Sequence, residues 1–134
     1  MRRTAALLAL VLLAGGCGGG GEESSDTNAK IDLTLTLWPS GVNGDSVTWE
    51  IQCEPTGGDH PDPAAACAAL TSVPDPFGPV PPPARCAEIP ESGLEVAVLE
   101  GTFRGREVRS TFERSSACVT PRWDRIAPVF PAGF

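Results

Sequence analysis

Five cysteines, a single histidine and one glutamate in a proline-dense run are the residues of this 134-residue chain whose chemistry could be specialised. The cysteines are Cys17, Cys53, Cys67, Cys86 and Cys118. A zinc site built from four thiolates needs close ligand pairs of the CxxC kind, and the sequence has none, so no metal is expected. His60 sits in a turn with Pro55, Gly57, Gly58, Asp59, Pro61 and Pro63, and any catalytic dyad would have to be built on it. Its setting reads as structural instead, hydrogen-bonding backbone near a helix start. Asp59 and Asp62 read as turn and cap chemistry rather than an acid–base couple. Ser24, Ser25, Ser115 and Ser116 lie in polar runs without a Gly-x-Ser-x-Gly elbow. Arg104, Arg106, Arg109 and Arg114 form a basic cluster, read as a solvated sheet edge that resists strand pairing, with Arg104 and Arg106 sharing a face. Neither a catalytic residue nor a cofactor follows from this set. Glu88 is different: it lies two residues after Cys86, in a segment that proline stiffens for display.

Composition narrows the setting. The 15 Gly and 14 Pro argue against a helical bundle. A net charge of −7, more negative once Arg2 and Arg3 leave with a leader, repels phosphate backbones, so no nucleic-acid partner is expected. Met1-Arg2-Arg3 and the Leu- and Ala-rich run Thr4 to Ala14 have the form of a secretory signal, too short to span a membrane. Ala14-Gly15-Gly16-Cys17 resembles a bacterial lipobox, in which small residues fit the lipoprotein signal peptidase and the Cys thiol is diacylglycerylated. Residues 1–16 are thus expected as a lipoprotein signal, and 17–30 as the lipidated Cys and a flexible tether. Two or more acyl chains suffice for stable anchoring. The expected location is the outer face of the cell membrane, touched through the lipid only; the alternative is ordinary secretion with Cys17 discarded.

With Cys17 set apart, Cys53, Cys67, Cys86 and Cys118 remain in an oxidising compartment, and three pairings exist on paper. The elements that must hold them are legible in part. Ile31 to Leu37 alternates strictly, and Val47 to Cys53 resumes the alternation after turn residues, a pattern of paired antiparallel strands. Asp62 to Leu70 reads as a helix: Asp62 caps it, Pro63 fits its first turn, and alanines propagate it. Cys67 can then staple that helix to the strand ending at Cys53. Pro74 to Pro90 holds seven prolines and reads as a rigid exposed loop tied down at Cys86. Leu94 to Leu99 is β-rich, Gly101 is expected to begin a turn, and Val108 to Phe112 reads as a further strand. Between Cys118 and Ile126, or near Phe77, a second short helical turn fits. Ile126 to Phe130 is a short apolar run. The fold class expected is α+β: one antiparallel sheet of about five strands with one or two short helices packed on it and two disulfides.

These residues carry a family likeness. His60-Pro61-Asp62-Pro63-Ala64-Ala65-Ala66-Cys67 resembles the His-Pro-x-Pro-Ala-Ala-Ala-Cys signature of the Streptomyces subtilisin inhibitor family. Val96 to Val108, through Gly101, Phe103 and Arg106, resembles that family's strand–turn–strand; Thr111-Phe112-Glu113 up to Cys118 resembles the next strand and its cysteine. Val129-Phe130 and Phe134 resemble its Val-Phe-Ala-Phe ending. The likeness runs from about Leu33 to Phe134 and makes 31–134 a subtilisin-inhibitor-like domain.

The resemblance implies the nearest-neighbour disulfides Cys53–Cys67 and Cys86–Cys118. It implies an inhibitor whose substrate-like loop enters a serine protease's cleft in extended form. The scissile bond of the family lies two residues after the third framework cysteine, which here is Glu88–Ile89. The reactive loop implied is Cys86-Ala87-Glu88-Ile89-Pro90. Glu88 would fill the primary specificity pocket, which suits a glutamate-preferring or permissive subtilisin-like enzyme. The chain departs from the family at Pro90, where an aromatic or aliphatic residue is common, and in Glu91-Ser92-Gly93, which lengthens the return. The partner implied is an extracellular serine protease. Pairing through a sheet face, frequent in the family, extends to a homodimer. The rival reading is a non-inhibitory envelope lipoprotein that uses the same scaffold to bind another partner.

Overall fold

A computed structural model describes residues 30–80, 82 and 93–133. Its five strands run β1 (Ile31–Trp38), β2 (Val47–Cys53), β3 (Gly57–Gly58), β4 (Val96–Phe103) and β5 (Arg106–Glu113). They form one antiparallel sheet in the order β3-β2-β1-β4-β5. Two helices, α1 (Pro63–Ser72) and α2 (Thr120–Arg125), and a 3-10 turn at Ala127–Val129 complete it.

β1 holds the centre because its alternation buries every second side chain: Ile31, Leu33, Leu35 and Leu37 are all shut off from solvent. Leu35 faces Trp49 on one side and Leu99 on the other, so one layer of the core crosses three strands. Phe103 and Phe112 extend that layer, and Leu70, Ile126 and Val129 cover it from the helical side. The opposite face carries Thr34, Thr36 and Trp38 of β1 with Val96 and Val98 of β4. Those residues are half-buried, and they lie on the side of the sheet away from the buried core.

α1 starts as its residues dictate. The Asp62 carboxylate accepts from the Ala65 N–H at 3.0 Å, and Pro63 occupies the first turn, where its missing N–H has no role. The buried face is Ala66, Cys67, Ala69 and Leu70, and Cys67 is bonded to Cys53 at the end of β2.

Three details differ from the sequence reading. Gly101 continues β4 instead of turning, paired with Leu33 and Val108, because β1 passes so close that a Cβ there would collide with the Asp32 carbonyl oxygen. The turn falls at Arg104-Gly105, both at positive φ (51° and 79°), as a two-residue hairpin loop requires. Arg104 therefore does not share a sheet face with Arg106. The third difference is β3, two glycines pairing with Ile51 and Gln52 inside what reads as pure turn chemistry.

Candidate functional site

Cys86, Ala87, Glu88, Ile89 and Pro90 lie outside the described residues, as does Cys17. The stems on either side of that segment lie within the described residues. On the entry side α1 gives way at Val73 to extended backbone, and Asp75 then organises a turn. Its carboxylate accepts from the Phe77 N–H at 3.2 Å and pairs with Arg106 at 3.2 Å. The turn drives Phe77 edge-on into Phe103 and Phe112, with ring centroids 5.0 and 6.2 Å away. Gly78 follows, and its carbonyl oxygen accepts from Nη2 of Arg122 at 3.4 Å.

Arg122 is buried, 6 % exposed, in the middle of α2. Besides Gly78 it donates through Nη1 to the Thr111 carbonyl at 3.1 Å and through Nη2 to the Ser110 hydroxyl at 3.0 Å. Its guanidinium lies over the Phe112 ring at 4.6 Å. Burial, with a smaller contribution from the nearby Arg125 charge, pushes its pKa below the ordinary arginine value. The planar fork makes this possible: several N–H groups in fixed geometry reach a loop carbonyl and a strand edge together. α2 is seated by Trp123, stacked on Phe130 at 4.0 Å, which in turn meets Phe112 at 5.4 Å.

On the exit side, Glu95 pairs with Arg114 at 2.9 Å just before β4 begins. The pair is half-buried, and Oε2 of Glu95 and Nε of Arg114 are enclosed without a hydrogen-bond partner among the described residues. Gly93 explains how the carboxylate fits there, since a Cβ at that position would collide with Oε2 of Glu95. Beside the pair a cleft of about 280 Å³ is lined by Leu37, Pro39, Trp123 and Phe130. Val80 and Leu94, on the two stems, are 50 % and 71 % exposed.

The remaining sequence candidates fall where structural roles place them. His60 is buried; its Nδ1 accepts from the Asp62 N–H at 3.0 Å and its Nε2 lies 3.1 Å from the Val129 carbonyl. Asp59 accepts from the Glu50 N–H at 2.6 Å, and Asp62 caps α1, so neither is an acid–base group. Arg109 pairs with Glu100 on the open face of the sheet. The Cys53–Cys67 bridge is present, and Cys118 is also disulfide-bonded. Among the described residues no cluster of His, Cys, Asp or Glu could hold a metal, and no helix is long and apolar enough to cross a membrane. Arg122 and Glu95 escaped the sequence reading, and Gly93 entered it only as part of the lengthened return. The available signal was faint: Arg114, Cys118 and Arg122 recur every four residues in the segment that follows β5.

Residues 28–117 match the family model described as subtilisin inhibitor-like. No curated protein matches the chain. Among solved structures, the crystal structure of Streptomyces caespitosus sermetstatin in complex with Bacillus licheniformis subtilisin is similar over 74% of this chain and 96% of that one, with 20% identity and a TM-score of 0.47. Matched over more than half of its length, the chain belongs to the subtilisin inhibitor-like family, whose members are protease inhibitors and not enzymes.

Proposed function

We propose that the chain inhibits a secreted serine protease, subtilisin-like or glutamate-preferring, through a substrate-like loop around Glu88–Ile89. One observation carries this reading: within a chain of this family, both stems of the loop are fastened to one support. Gly78 is held by Arg122 and Glu95 by Arg114, on either side of the disulfide-bonded Cys118. A loop gripped at both ends loses little conformational freedom when an enzyme binds it, which favours affinity. It also keeps the two cut ends together after hydrolysis, so the reverse reaction competes.

In this reading Glu88 enters the primary pocket, Ile89 follows the scissile bond, and Cys86, Ala87 and Pro90 complete the extended segment laid along the enzyme's edge strands. A bridge from Cys86 to Cys118 braces it from below. The exposed Val80 and Leu94 supply apolar rim to an interface of roughly 1,600 Å², the usual size for such complexes. The domain of residues 31–134 hangs from a lipid on Cys17 by the tether 17–30, after removal of the signal 1–16. The open sheet face, with its half-buried Val96, Val98 and Trp38, supports pairing into a homodimer.

The test is a panel of serine proteases, including a glutamate-specific one, titrated with the exported chain. Stoichiometric inhibition is expected, and Glu88→Arg is expected to abolish it for the glutamate-specific enzyme. If no member is inhibited by protein with intact disulfides, the scaffold serves the rival role of binding a different envelope partner.

A further inference from the structure

The segment after β5 touches both loop stems, and the contacts are of one chemical kind. Arg114 reaches the exit stem at Glu95, and eight positions later Arg122 reaches the entry stem at Gly78. Cys118 lies midway between them. Both guanidiniums are rooted in the sheet or its extension: Arg114 directly follows β5, and Arg122 is tied to Ser110 and Thr111 within it. We propose that Arg114 and Arg122 are positioning residues that act as two jaws of a clamp, fixing Glu95 and Gly78 relative to β5 so that the intervening loop resists hydrolysis. The proposal rests on the inhibitor reading above, and it adds the residues that set how long an inhibited complex lasts.

Three features distinguish a clamp from ordinary packing. Arg122 spends its donors on the backbone of two separate segments, where a residue serving α2 alone would bond within its own helix. Its position lies beyond residues 28–117, so this jaw stands outside the part of the chain matched by the family model. On the other stem, Gly93 leaves the space that the Glu95 carboxylate occupies and so makes room for the second jaw. A planar guanidinium suits both places, because its fork holds direction as well as charge, which a lysine ammonium would not.

The test uses Arg122→Met, Arg114→Met and Gly93→Ala in the full exported chain. Met retains packing on the Phe112 ring without the N–H donors; Gly93→Ala displaces the Glu95 carboxylate while leaving both arginines in place. Each variant is first checked for native circular dichroism and its unfolding midpoint. Two rates are then measured well below that midpoint. One is cleavage between residues 79 and 94 by thermolysin, a metalloprotease, mapped by mass spectrometry. The other is decay of the complex with an inhibited serine protease through loop hydrolysis. Loss of a charged hydrogen bond should raise both rates roughly ten- to a hundredfold. Arg122→Lys should restore the fold but only part of the resistance.

Unchanged cleavage between 79 and 94 in all three folded variants would overturn the clamp, whatever their unfolding midpoints do. Should Arg122→Met fail to fold, Arg114→Met and Gly93→Ala still decide the matter. The thermolysin arm separates the two readings: if the parent chain inhibits no serine protease yet the variants are cut faster, the inhibitor reading fails and the clamp stands.

Discussion

His60 and Arg122 are both buried polar side chains, yet they differ in how far the sequence betrayed them. His60 joins the start of α1 to the C-terminal 3-10 turn through Asp62 and Val129. Its two ring nitrogens are both taken up by backbone groups, Nδ1 by the Asp62 N–H and Nε2 by the Val129 carbonyl, so neither is open to a substrate. Replacing it by Ala leaves the buried Val129 carbonyl without this partner, while the N–H of the exposed Asp62 opens to water. His60→Ala should therefore cost about 1–3 kcal/mol, the usual cost of one buried polar group left unpaired. The urea midpoint should fall with an unchanged slope, and inhibition should persist where the variant is still folded. An unaltered midpoint would show that the two bonds contribute nothing. The structural role of His60 was readable because proline and glycine surround it and a helix cap follows. Arg122 gave no such cue: an arginine beside a tryptophan in a polar tail has the pattern of a surface residue, and only the return of α2 onto β5 buries it.

At the scale of elements, alternation told which segments are strands but not which strands are neighbours. Ile31 to Leu37 announces a two-sided strand by burying every second residue, and Val47 to Cys53 repeats the pattern. Nothing in that period says that β1 also pairs along its whole length with β4, more than sixty residues on. β3 was illegible for a simpler reason, since two glycines offer no side chains to alternate. The β4–β5 hairpin shows how glycine misleads. Gly101 and Gly105 look alike in sequence and both sit at positive φ (136° and 79°), but only the first is also pressed for space against β1, the second lying in an open turn. Their alanine variants should separate accordingly. Gly105→Ala should lose about 1–2 kcal/mol from left-handed backbone alone. Gly101→Ala, driven against the Asp32 carbonyl, should lose about 3–5 kcal/mol through strain and overpacking together. Equal losses in thermal unfolding of the two variants would contradict the close approach of β1 to β4.

The whole molecule combines an acidic charge of −7 with a proposed home on a membrane. Anionic headgroups repel such a domain, so electrostatics cannot share the work of anchoring. Lys30, the chain's single lysine, stands at the start of the domain and is already paired with Glu54 at 3.5 Å. Under the proposed lipoprotein reading, all of the attachment would then come from acyl chains on Cys17, two or more of which suffice for stable anchoring. In that proposal the Gly-, Glu- and Ser-bearing stretch between Cys17 and Ile31 would serve as the tether that lets the repelled domain stand off. Cys17→Ser in the producing cell should consequently move the chain from the membrane fraction to the medium, and high salt should release none of the parent protein. Partial retention of the Cys17→Ser chain, or salt-dependent release of the parent, would mean that the domain itself binds the surface and the charge argument fails. The released variant also allows the open sheet face to be weighed: sedimentation equilibrium at twice the chain mass is expected if Val96, Val98 and Trp38 meet their counterparts, and a monomer at all concentrations would leave that face simply solvated.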